Sequence, residues 1–140
     1  MSKTNPDWHD ADLVIRLYDL RRETVMRNSR DAMNARFRPR NYEDFLAVTK
    51  PEHPDNAAFR QVSTYWEMVY AMARHGVVNA EYFVESNREG LLLFAKVAPY
   101  LERFRKEASP TAFRNAEWVA TQTDTGRAAF ALFEKRLKAS

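Results

Sequence analysis

Several groups of side chains in this sequence have the right types and spacing for chemistry. Near the N-terminus, Trp8, His9, Asp10 and Asp12 place an imidazole beside two carboxylates, which are metal-donor types. The other histidines lie elsewhere, His53 between Pro51 and Pro54 and His75 at a helix end, so no H-E-x-x-H or E-x-x-H set forms and no metal site or other cofactor is expected. His75 reads as a partner for the helix dipole. Glu81, Glu85 and Glu89 recur every four residues, with Glu102 further along, a pattern that suits acid/base work or cation binding. A solvated acidic face partly neutralised by Arg88 is the simpler reading. Tyr65, Trp66 and Tyr70, with Glu67 and Arg74 alongside and Tyr82 and Phe83 nearby, could line a ligand pocket between helices. Core packing is the better reading, since the aromatics on the apolar stripe are where a core needs them.

Arg36, Arg38 and Arg40 form the one concentrated basic patch, with Arg21, Arg22 and Arg27 further back. The patch is a candidate dock for a phosphate or an acidic partner, unless Glu43 and Asp44 neutralise it. The 22 basic side chains exceed the 19 acidic ones by only three, which is weak evidence for nucleic acid. The segment from Tyr65 to Asn87 reads as helix, glycine turn, helix, but its second helix would turn Glu81 and Glu85 toward phosphates, so nucleic acid is not the expected partner. The chain has no cysteine, which excludes disulfides, a thiolate nucleophile and Cys-based zinc sites. There is no Gly-rich phosphate loop, no G-x-S-x-G elbow and no Ser/His/Asp set, so catalysis has no positive signal.

The elements that must position these residues are helices. The 140 residues fit one domain, with 45% hydrophobic residues, 13% aromatic residues and only three glycines; Ala, Leu, Arg, Glu and Met favour helix. A long first helix is expected from between Asp7 and Asp12 to about Phe37, ended by Pro39, with residues 1–9 flexible. Further helices are expected over 42–49, from Asp55 or Asn56 to Gly76, from 80 to about 87, from 91 to 107 with a kink or break at Pro99, from the Ser109-Pro110 start to about 122, and from Asp124 onward. Gly76 occupies the position of a left-handed helix-ending glycine, whereas Gly90 is expected to tolerate alanine. No strand or hairpin signal is present. These features predict an all-α single-domain bundle of six or seven helices. The acidic N-terminus lacks the apolar stretch of a signal peptide, and Leu91 to Ala98 is too short to span a bilayer, so a cytoplasmic protein without a membrane span is expected.

Leu17 to Glu23, the runs Thr64-Tyr65-Trp66-Glu67 and His75-Gly76-Val77-Val78-Asn79, and Pro99-Tyr100-Leu101 with Arg105 resemble a family of uncharacterised bacterial all-α domains, a domain of unknown function. The resemblance covers roughly residues 13 to 120. It implies a helical fold and brings no catalytic residues, although some relatives carry a transmembrane helix ahead of the domain.

The expected function is a non-enzymatic protein-interaction module, with a small-molecule binder or enzyme using the central aromatics as the alternative. A homodimer is expected because Ile15, Met26 and Met33 form an apolar face set apart from Leu13, Leu17 and Leu20.

Overall fold

The computed structural model describes residues 3–140. Among these residues there are eight helices and no strand: α1 (Trp8–Arg22), α2 (Thr24–Arg36), α3 (Tyr42–Val48), α4 (Asn56–Arg74), α5 (Ala80–Glu85), α6 (Gly90–Glu107), α7 (Arg114–Gln122) and α8 (Asp124–Ala139). The predicted stripe of α4 is buried throughout, from Phe59 and Val62 through Trp66, Val69 and Tyr70 to Ala73. This stripe makes α4 the central helix, with α2 and α7 packed on it. α8 closes the bundle by packing on α6, α7 and α5. One continuous apolar core joins these layers, so the fold is a single all-α domain. Among the described residues, no helix is long and apolar enough to cross a membrane.

The expected long first helix is two helices. Glu23 adopts an extended conformation (φ −59°, ψ 143°); its N–H donates to the Leu20 carbonyl at 3.3 Å, ending α1, and its carboxylate accepts from the Met26 N–H at 3.1 Å, starting α2. The physical reason lies in burial. At about 100° per residue, Leu17 and Met26 would fall on opposite sides of a straight helix. The break lets Leu17, Met26 and Met33 all enter the same core.

Two prolines do not set the helix ends expected of them, for there is no break at Pro99. α6 continues through Pro99, because Phe94 and Val97 before it and Leu101 after it are anchored in the same core. Ser109 and Pro110 do not start a helix but belong to a turn, and α7 begins only at Arg114. The residue before it, Phe113, sits in the left-handed region (φ 58°), where its buried ring packs near Phe59 and Phe94. That packing holds a backbone conformation uncommon for a bulky residue.

Gly76 has φ 74°, as a helix-ending glycine should. Gly90 lacks the room expected for alanine: a Cβ there would lie 2.5 Å from Trp66 Cδ2 and 2.6 Å from the Tyr70 hydroxyl. Within the segment expected to be flexible, Met1 and Ser2 lie outside the described residues. Lys3 Nζ bonds both Asp7 and Asp10 at 3.0 Å, its carbonyl accepts from Asn79, and Asp7 caps α1.

Candidate functional site

The aromatic set around α4 divides into two parts. Tyr65, Trp66 and Tyr70 are core residues: the Tyr65 hydroxyl donates to the Leu17 carbonyl at 2.9 Å, the Tyr70 hydroxyl donates to the Asn87 carbonyl at 2.8 Å, and Trp66 stacks on Tyr70 with centroids 5.5 Å apart. Burial pushes both tyrosine hydroxyls above the ordinary range, Tyr70 by far the more. Glu67 and Arg74 face α7 instead. The Glu67 carboxylate accepts from the Asn115 and Ala116 N–H groups at 3.1 and 2.8 Å, and Arg74 reaches Asn115 at 3.4 Å. Burial raises the Glu67 pKa, opposed by those two N–H bonds. The five residues therefore do not line one pocket, and Trp66 faces cavities that the other four do not line.

The acidic series has structural partners too. Glu81 accepts from the Asp124 and Thr125 N–H groups at the start of α8, and Glu89 makes a two-bond pair with Arg30 at 2.7 and 2.6 Å. Among the described residues, no group of three histidines or carboxylates could hold a metal ion. His9 stacks on Trp8, and His53 accepts from the Asp55 N–H.

The basic patch is dispersed, and among the described residues none of its guanidinium groups pairs with Glu43 or Asp44. Arg36 pairs with Asp55 at 2.7 Å, which holds the aspartate pKa down. Arg38 donates to the carbonyls of Leu137 and Ser140 at the end of α8. Asp44 accepts from the backbone N–H of Arg40, and Glu43 lies 3.9 Å from Arg103. Arg38 and Arg40, with Lys96 and Lys138, line a groove of about 540 Å³ beside α8.

The expected dimer face does not exist as drawn. Met26 and Met33 are 3% and 2% exposed, buried by the rotation that the Glu23 break introduces, while Ile15 is 68% exposed. A different apolar surface runs along the outside of α1, where Trp8, Ile15 and Tyr18 are all exposed.

The second large cavity, about 640 Å³, is a cleft between α1 and α8. Tyr18, Arg21 and Arg22 form one wall, Phe133 and Arg136 the other, and Arg88 and Leu92 lie between them. Arg21 donates only to neutral oxygens: Tyr65 hydroxyl, Asn87 Oδ1 at 2.6 Å and the Ser86 carbonyl. Its guanidinium lies 5.3 Å from the centroid of Trp66. Among the described residues, Arg22, Arg88 and Arg136 have no carboxylate partner; Arg22 and Arg136 instead lie beside the rings of Tyr18 and Phe133. Glu85 is the one carboxylate of the lining without a partner. Trp66, the one buried lining residue, carries an indole N–H with no acceptor.

The cleft is not visible in the sequence because its arginines lie far apart in the chain. A signal was nevertheless present. The residues four before and four after Arg21, Arg22, Arg88 and Arg136 are all uncharged, whereas Arg16 has Asp12 and Arg103 has Glu107 at that spacing. No curated protein and no solved structure matches the chain. Residues 8–123, from α1 through α7, match the domain of unknown function DUF4760, and the chain belongs to that family.

Proposed function

We propose that the domain is a non-enzymatic protein-interaction module that pairs with a second copy of itself through the outer face of α1. The observation that carries this reading is the exposure of Trp8 and Ile15, at 70% and 68%. With Ala11 between them they recur at i, i+3 and i+7, the seam spacing of paired helices. Large apolar side chains in a row on one exposed helix face mark a contact surface.

Self-pairing also suits the charges. Asp12 is exposed near the start of the helix, and Arg21 and Arg22 lie at its end. Antiparallel packing of two copies of α1 about Ile15 opposes these ends and the helix dipoles. A two-fold axis makes such a surface self-complementary.

Light scattering after gel filtration at micromolar concentration is expected to give twice the 16.4 kDa chain mass. Ile15→Glu is expected to give a folded monomer with an unchanged circular dichroism spectrum. Met26→Glu, by contrast, is expected to destabilise the chain itself. A wild-type monomer, or a dimer indifferent to Ile15→Glu, overturns the reading.

A further inference from the structure

We propose that the cleft between α1 and α8 binds a nucleoside diphosphate or a similar small molecule that joins a flat ring to a polyphosphate anion. Its charges make the first argument. Folding brings Arg21, Arg22, Arg88 and Arg136 together from separate parts of the chain, with Glu85 as the only carboxylate of the lining that has no partner among the described residues. The cleft thus carries about three net positive charges that a protein anion does not neutralise, close to the charge of a nucleoside diphosphate at pH 7. Arg30, in the same lining, is paired with Glu89 and adds no free charge. Like charges converging in a cleft repel one another and focus a field that an entering anion relieves.

The rings make the second argument. Each wall sets an aromatic ring beside a guanidinium: Tyr18 with Arg21 and Arg22 at 5.8 and 5.7 Å from its centroid, and Phe133 with Arg136 at 5.8 Å. Ring and guanidinium planes stack on a base, while the guanidinium edges take phosphate oxygens in two-pronged bonds. Leu92 and the exposed Leu132 supply apolar lining. The cleft is already organised for this. Arg21 is held by Asn87, itself buried and bonded to the Phe83 carbonyl and the Tyr70 hydroxyl, and about 640 Å³ is the size of a small-ligand pocket.

Isothermal titration of the whole chain with ADP, inorganic pyrophosphate, adenosine and a short polyglutamate peptide tests the proposal. ADP is expected to bind at least about tenfold more tightly than pyrophosphate or adenosine, because only it engages both rings and guanidiniums. Arg88→Ala and Arg136→Ala lie off α1, so they leave the dimer of the preceding proposal intact. Each is expected to weaken ADP by about tenfold or more, and Phe133→Leu is expected to narrow the gap between ADP and pyrophosphate. Failure of ADP to bind at about 1 mM, the weak limit of useful affinity, overturns the proposal. Affinity indifferent to both arginine variants, pyrophosphate equal to ADP, or polyglutamate tighter than ADP overturns it as well.

Discussion

In the groove beside the end of α8, Arg38 donates to the Leu137 and Ser140 carbonyls and Lys96 donates to the Met33 carbonyl at 3.0 Å. In the cleft between α1 and α8, Arg22, Arg88 and Arg136 have no hydrogen-bonded carbonyl or carboxylate among the described residues, although the two cavities are of similar size. Two cations of the first are thus used up as caps on helix C-termini, where they offset the negative dipole ends of α2 and α8. Those of the second remain free to meet a ligand. Counting basic residues does not distinguish the two regions; following each donor to its acceptor does.

The largest expected effect tests the inner wall of the cleft. Gly90→Ala forces a Cβ into the buried Trp66 and Tyr70, and is expected to cost about 2–3 kcal/mol and to weaken ADP binding, without altering the α8 groove. Urea unfolding and titration check both parts, and a loss below about 0.5 kcal/mol would mean that the wall yields easily.

A smaller difference separates the arginines themselves. Arg38→Ala is expected to lose about 1 kcal/mol of stability with its capping bonds, whereas Arg88→Ala is expected to stay within about 0.5 kcal/mol of wild type. Equal losses in thermal melts would erase the distinction between capping and free arginines.

The smallest effect concerns pH. Burial, with repulsion from Arg38 added, holds the Lys96 ammonium below the ordinary lysine range. The folded chain therefore binds that proton more weakly than the unfolded chain, and the group's contribution to stability falls as pH drops from above the ordinary lysine value through the folded one. Lys96→Met is expected to match or exceed wild-type stability at pH 7 by up to about 1 kcal/mol, with the advantage shrinking at pH 10. Urea midpoints at the two pH values check this, and a loss of about 2 kcal/mol at pH 7 would show that the bond to Met33 dominates.

What was legible in the sequence was local. Gly76 announces its left-handed turn because only the adjacent helix sets it, and the α4 stripe is visible because periodicity alone places Phe59, Val62, Trp66 and Val69 on one face. What was hidden depends on tertiary packing. Nothing in the neighbourhood of Glu23 marks a helix end; the break follows from the need to bury Leu17 and Met26 in one core. Ser109 and Pro110 carry good local start signals, yet α7 begins at Arg114, where Phe113 packs in the core and Glu67 supplies the acceptor. The arginine cleft is illegible for the same reason. Its residues converge only after α1, α6 and α8 have docked, and only the missing carboxylates at helical spacing betray it.

The cap that Glu67 gives α7 also ties the stability of that helix to a distant part of the chain. Its acceptor lies 48 and 49 residues from the amides it serves, and a nine-residue helix is too short to persist alone in water. α7 therefore depends on the α4 surface it packs on, and it adds cooperativity where local propensity supplies little. The Asn115 and Ala116 amides should then exchange with solvent at the rate of the α4 core, much more slowly than the first-turn amides of an exposed helix.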